Sequence, residues 1–236
     1  MTATNNGLIY VTARISFPNI VDPQVTTNEK GETRTSYNCD LIMAATDPGF
    51  QKFMQTYQQM AVEKWKENAG QAMQMIQADR KSRCYGAGEE KVSKKTFAIH
   101  QGYAGNVFIT ARSERQPKIV DDTGVEVPVA NTMQVRNVAS RIEGGMIVNA
   151  VIKPWLQQNV HGAGVRCDLV ALQFAKDDGT RFAAAAVDTS GMFGAIAGAA
   201  PAAPAVPGFA PVAPMPTAPF PAAAAPAFGM PAFLGG

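Results

Sequence analysis

The sequence predicts a mainly β protein, built as a small closed barrel with one helical insertion and followed by a C-terminal tail. Short segments with alternating hydrophobicity, glycine at the bends between them and a single long amphipathic stretch predict the barrel. The tail is predicted from charge, since all 21 Lys/Arg and all 19 Asp/Glu lie at or before Asp188. We therefore expect a folded domain over residues 1–188 and a disordered Pro/Ala/Phe-rich tail over residues 189–236.

Two strands open the domain. Residues 7–17 alternate between an apolar set and a polar set, which indicates a half-buried strand that ends at Pro18. The apolar set is Ile9, Val11, Ala13, Ile15 and Phe17, and the polar set is Tyr10, Thr12, Arg14 and Ser16. A turn-rich stretch over residues 19–31 then leads to a second strand over residues 33–43.

A change of period marks the helical insertion. Thr46 or Asp47 can cap a helix that has Pro48 in its first turn, where a missing N–H has no consequence. Apolar residues then recur every three or four positions as far as about Gly70. This amphipathic pattern predicts a helix that packs on the barrel, continued after a break by residues 72–78.

Further strands are predicted downstream of the helix. The segments are residues 97–100, 106–113, 117–120, 145–155, 164–175 and 181–185. The last two are joined by an Asp178-Gly179 step, a strong hairpin signal. Many short strands with one major helix favour a closed barrel over a parallel sheet.

The sequence offers no catalytic, metal or cofactor motif. His100 and His161 have no Cys, Asp or Glu at ligand spacing, and the three cysteines are too scattered for a zinc site. No secretory signal or spanning segment is recognisable, so we expect a cytoplasmic protein with reduced thiols. A nuclease with scattered carboxylates stays open as a minor alternative.

Binding is the function that the strand faces favour. Aromatic rings stack on unpaired bases and Arg or Lys contacts phosphates in proteins that hold single-stranded nucleic acid. Three aromatic and basic pairs share non-core strand faces by parity: Tyr10 with Arg14, Phe108 with Arg112, and Trp155 with Lys153. Net charge is only +2, but residues 80–95 form a cationic cluster.

Four stretches, in this order, resemble a family of bacteriophage single-stranded DNA-binding proteins long catalogued as a domain of unknown function. They are Ala13-Arg14-Ile15-Ser16-Phe17-Pro18-Asn19, Gly102–Ala111, Gly145–Trp155 and Gly164–Phe174. The resemblance implies an OB-fold barrel with a helical insertion, which coats single-stranded DNA without sequence specificity during phage replication or recombination. It makes candidate DNA contacts of Arg14, Tyr103, Phe108, Arg112, Lys153 and Trp155. Tyr10 joins them from the strand pairs, and Lys94, Lys95 and Arg141 join on charge alone.

The uncharged tail departs from the acidic tail usual in such proteins. Its spaced phenylalanines suggest recruitment of replication or recombination proteins, or self-association into a homo-oligomer. An inert spacer is the alternative for the tail. For the whole chain, the alternative to DNA binding is a non-catalytic virion or scaffold protein.

Overall fold

The computed structural model describes residues 7–27, 31–159 and 162–182, all within one compact unit. The predicted tail over residues 189–236 lies outside the described residues. The strands are β1 Ile9–Thr27, β2 Thr33–Met43, β3 Tyr85–Ala87, β4 Val107–Ser113, β5 Lys118–Val120, β6 Glu126–Val127, β7 Ile147–Asn159 and β8 Gly162–Lys176. The helices are α1 Pro48–Trp65, α2 Ala69–Ala78 and α3 Thr132–Ala139.

Five strands close the barrel. Antiparallel pairing joins β4, β2, β1, β7 and β8 in that order, and β8 returns to β4 through a parallel contact at Arg112 and Asp168. The short β3 adds to β4, β5 adds to β8, and β6 adds to β5. This closed five-stranded arrangement with inserted helices confirms the predicted OB-fold-like class.

Strand alternation gives the barrel its core. Ile9, Val11, Ala13 and Ile15 are buried as predicted, and they meet the buried faces of β7 and β8. The prediction fails at Phe17, which is about half exposed, while Ser16 is buried. Phe17 has a φ of 49°, and the β1–β2 register shifts between Ser16 and Asn19, so the irregularity reverses the alternation.

β1 does not end at Pro18, which corrects the sequence prediction. Pro18 lies in the register shift between β1 and β2. The strand pairing does not require an N–H from residue 18 there, so proline is tolerated. Beyond it, β1 pairs with β2 from Gln24 and Ser36 to Thr27 and Thr33, so the predicted turn is a two-stranded arm.

The helical insertion follows the sequence pattern closely. Asp47 caps α1 by accepting a 2.7 Å hydrogen bond from the Gly49 amide. The apolar stripe is buried against the sheet through Phe50, Phe53, Tyr57 and Ala61. The break falls at the 3₁₀ turn Lys66–Asn68, slightly earlier than predicted.

Two short elements differ from prediction. Residues 97–100 contribute only an isolated bridge between Val92 and Ile99. Helix α3 was missed because it is short, and only Val135 and Ala139 on it are buried. Residues 181 and 182 are not a strand, and the rest of the predicted 181–185 strand lies outside the described residues. No helix in the described ranges is both long and apolar enough to cross a membrane.

Candidate nucleic-acid interface

A groove of about 660 Å³ opens beside the parallel contact that closes the barrel. One wall comes from the outer face of β4 and the residues just after it, and another from β7 and β8. The third comes from the cationic segment that leads into β3. The groove therefore depends on strands that are distant in sequence and meet only because the barrel closes.

Cations dominate the groove. Seven basic side chains line it, against the acidic Glu114 and Asp168: Arg80, Lys81, Arg83, Lys91, Arg112, Arg115 and Arg166. Glu90 pairs with Arg83 at 3.0 Å and with Arg80 at 4.0 Å. Lys91 pairs with Asp40. The remaining four cations, Lys81, Arg112, Arg115 and Arg166, form no ion pair with a carboxylate of the described residues. An anionic strand would meet them without breaking an ion pair of the described residues.

Trp155 is the exposed aromatic ring of the groove. Its side chain is 40% exposed, and its Nε1 donates a 2.7 Å hydrogen bond to Asp168 Oδ1. The register places Trp155 opposite Arg166, whose Nε donates to Gln157 Oε1 at 2.9 Å. The ring is thus held in one orientation beside a guanidinium, which suits base stacking next to a phosphate.

Tyr10 and Lys153 extend this surface along the sheet. Tyr10 is 61% exposed and pairs across β1 and β7 with Val151, two residues before Lys153. Side chains two apart share a strand face, so Val151, Lys153 and Trp155 follow one another over roughly 13 Å. The predicted aromatic and basic pair on β7 therefore shares one exposed face.

Two expected stacking residues are interior. Tyr103 is fully buried and Phe108 is 4% exposed, and both pack with Ile42 in a second small core. Strand parity placed Phe108 correctly on the face of Arg112, but Tyr103 and Lys91, from the segment between β3 and β4, pack against the ring. Both rings are buried in this structure, although Phe108 still lines the groove, so their role in DNA binding stays a prediction.

The buried rings surround an ionic network instead. Asp40 is 4% exposed and accepts hydrogen bonds from the Tyr103 hydroxyl at 2.6 Å, Thr110 at 2.5 Å and the Lys91 ammonium at 2.7 Å. The Lys91 nitrogen lies 4.4 Å from the centre of the Phe108 ring. Burial, with the neighbouring Asp40 carboxylate, raises the pKa of Tyr103 well above its ordinary value. Tyr103 thus fixes the groove wall through its bond to Asp40.

Arg14 and Arg141 lie outside the groove, in ion pairs. Arg14 binds Asp178 at 2.6 Å and also donates to the Gly145 carbonyl. The Arg14 guanidinium holds the pKa of Asp178 well below its usual value. Arg141 pairs with Asp122 and lies 4.4 Å from the Phe174 ring. Both arginines fasten loops to the barrel in this structure.

Lys94 and Lys95 are exposed on the turn between β3 and β4. Sequence reasoning missed other residues of the groove, among them Arg115, Arg166 and Asp168. Arg166 and Asp168 alternate on one face of a predicted strand, which was an available signal. Their link to Trp155, however, follows from the β7–β8 register.

The cysteines at the groove floor are chemically quiet. Burial raises the pKa of Cys84 to about 12, and burial also raises that of Cys167. Both thiols are therefore protonated near neutral pH and poor nucleophiles. No group of His, Cys, Asp or Glu in the described part of the chain is arranged to hold a metal ion.

A five-stranded barrel with a cationic groove and an exposed, oriented indole defines the class of OB-fold domains that bind single-stranded nucleic acid. The chain belongs to the family of the single-stranded DNA-binding protein of Enterobacter phage Enc34, whose model matches residues 7–200. The resemblance found in the sequence is confirmed.

Solved structures agree in fold. The single-stranded DNA-binding protein of bacteriophage Enc34 in complex with single-stranded DNA is 22% identical, with a TM-score of 0.55 over 74% of this chain and 89% of that one. A second structure of that phage protein is 23% identical, with a TM-score of 0.54 over 80% and 90% of the two chains. No curated protein matches the chain.

Proposed function

We propose that this protein coats single-stranded DNA without sequence specificity during phage DNA replication or recombination, in the cytoplasm of the infected host. The observation that carries the proposal is the groove in which the oriented ring of Trp155 lies among four cations that form no ion pair within the described residues. Family membership supports the choice of single-stranded DNA as the ligand.

The groove suits binding by stacking and charge. Trp155 would stack on one base, while Arg112, Arg115 and Arg166 would contact the phosphates on either side. Tyr10 and Lys153 would continue the track along β1 and β7. Stacking on ring faces and contact with phosphates both tolerate any sequence, which accounts for the proposed lack of specificity.

The test is a fluorescence titration of the full chain with dT oligomers of increasing length, with duplex DNA as the control. We expect micromolar or tighter binding to oligo-dT and weaker binding to the duplex. The logarithm of the affinity should fall with the logarithm of the salt concentration, by about 0.7 per phosphate contact. Failure to bind poly-dT at low ionic strength would refute the proposal.

We further propose that residues 1–188 bind DNA and that residues 189–236 recruit replication or recombination proteins or mediate self-association. The support is compositional, since the tail has no charge and its phenylalanines are spaced by Pro and Ala. Replacing Phe209, Phe220, Phe228 and Phe233 together by Ala should preserve oligo-dT affinity. It should also shift the sizing-column elution of the chain, or abolish its association with a replication partner. A tail variant unchanged in both respects would mark the tail as a spacer.

A further inference from the structure

A tight turn stands at the edge of the groove. Residues 92–99, here called the finger, are closed at the base by the bridge between Val92 and Ile99. Inside it, the Ser93 amide donates to the Ala98 carbonyl and the Phe97 amide donates to the Ser93 carbonyl, each at 2.9 Å. Ser93 Oγ accepts from the amides of Lys95 and Thr96, both at 3.3 Å. Its own hydrogen bonds therefore define the shape of the finger.

Phe97 occupies an unusual position on the finger. Its side chain is 82% exposed, the highest value for any large hydrophobic residue in the described ranges. Its φ of 55° lies in the left-handed region, which is disfavoured for a residue with a bulky side chain. The protein thus holds an aromatic ring in water on a strained backbone, and such strain concentrates at ligand-binding sites.

The finger is anchored to the groove wall. Lys91, which precedes it, lines the groove and is fixed by its 2.7 Å ion pair with the buried Asp40. The His100 amide, just after the finger, donates to the Lys91 carbonyl at 2.9 Å. A strand that leaves the groove past Lys91 would therefore meet the finger next.

Charge indicates what the finger binds. Residues 91–113 contain four cations and no Asp or Glu: Lys91, Lys94, Lys95 and Arg112. Lys94 and Lys95 stand three and two residues before Phe97. A ring flanked by cations without acids complements a base flanked by phosphates, as in stacking platforms for single-stranded nucleic acid.

We propose that Phe97 is a second stacking platform, which takes an unpaired base of the same DNA strand that occupies the groove. Lys94 and Lys95 contact the phosphates beside that base. The inference rests on the proposed function and deepens it, because it extends the binding track beyond the groove.

The test compares Phe97→Ala with wild type in titrations against dT oligomers of stepwise length. Long oligomers should bind roughly 5- to 150-fold more weakly to the variant, the change that corresponds to about 1–3 kcal/mol per stacked base. The shortest oligomers, which fill only the groove, should bind both proteins alike. Met133→Ala is the matched control, since Met133 is 74% exposed on α3 and does not line the groove.

Two further variants separate stacking from folding. Phe97→Trp should keep the affinity, and its added indole should be quenched by long oligomers. Phe97→Gly should raise Tm, because glycine accepts the left-handed backbone, and should weaken long-oligomer binding like Phe97→Ala.

Equal binding of long oligomers by Phe97→Ala and wild type would overturn the finger contact while leaving the proposed function intact. The proposal would also be overturned if Phe97→Ala, without DNA, eluted at a different volume from wild type while its affinity for DNA was unchanged. The ring would then belong to a contact between protein molecules. If wild type itself fails to bind oligo-dT, the proposed function fails first.

Discussion

The arginines that line the groove and the arginines that fasten loops, here called the junction arginines, differ in their carboxylate partners. Arg112, Arg115 and Arg166 line the groove without a carboxylate partner in the described structure. At the junctions, each arginine binds a carboxylate: Arg14 with Asp178, Arg136 with Asp22, Arg141 with Asp122 and Arg181 with Asp177. Both groups look alike in sequence.

The difference supports the proposal that availability, rather than charge alone, distinguishes a phosphate-binding cation. A paired arginine must give up its carboxylate before it can bind a phosphate, whereas a groove arginine has no carboxylate of the described residues to give up. Local pairing therefore lets a chain of net charge +2 present a cationic surface in one place.

The largest effect is expected from the ring between the groove cations. Trp155→Ala should weaken oligo-dT binding by roughly 5- to 150-fold, because one stacked base contributes about 1–3 kcal/mol. Tm should change little, since the side chain is 40% exposed. Trp65→Phe is the control, because Trp65 lies outside the groove and donates to Gln158. A Tm loss with unchanged affinity would show that Trp155 is structural.

The comparison itself is tested by Arg112→Ala against Arg141→Ala. Loss of one phosphate contact should reduce the salt slope by about 0.7, which is roughly fivefold in affinity at about 0.1 M salt. Arg141→Ala should leave both quantities unchanged, since Asp122 already occupies that guanidinium. Titrations at several salt concentrations measure both. Equal effects from the two variants would contradict the distinction.

A smaller gain in affinity should follow Asp168→Asn. The amide oxygen can still accept the hydrogen bond from Trp155, while a negative charge leaves the groove. Removing a repulsion of up to about 1 kcal/mol should tighten oligo-dT binding by at most roughly fivefold. Asp122→Asn, at a junction, should give no gain. Weaker binding by Asp168→Asn would indicate that the carboxylate itself is required to orient the indole.

The smallest effects concern stability against pH. Burial raises the pKa of Cys84 from its ordinary 9.0 to about 12, so the stability it supports is present below pH 9 and is lost as the pH rises toward 12. At the junctions, the Arg181 hydrogen bond lowers the pKa of Asp177 from 3.8 to about 2, and that contribution is lost as the pH falls through this interval.

Melting temperatures measured from acid to alkaline pH test this division. In a plot of Tm against pH, Cys84→Ala should reduce the loss of Tm at alkaline pH alone. Asp177→Asn should reduce the loss of Tm at acid pH alone. The same change at acid and alkaline pH for either variant would contradict the assignment.

Much of the fold was predictable because local patterns encode it. Asp47 and Pro48 start α1 as the capping pattern predicts, and β2 spans the predicted Thr33–Met43. Alternation also placed Tyr10, Lys153 and Trp155 on exposed faces. The sequence predicted the types of residue in the candidate site, aromatic and basic, but only some of the particular residues that line it.

Phe108 shows where the sequence pattern stops being informative. Alternation put it on the outer face of β4, and that is where it lies, but another segment covers the face. The predicted burial of Phe17 is wrong for a different reason, because a bulge reverses the alternation of β1 at that point. The ion pair of Arg14 could not be foreseen, because its partner, Asp178, is distant in sequence.

The sequence by itself determined most of the elements, most of the strand faces and the uncharged composition of the last 48 residues, because these depend on neighbours along the chain. The tertiary structure decided which cations are unpaired, which rings are covered and where the groove opens. Those properties depend on barrel closure, which brings β4, β7 and β8 together across long separations in sequence.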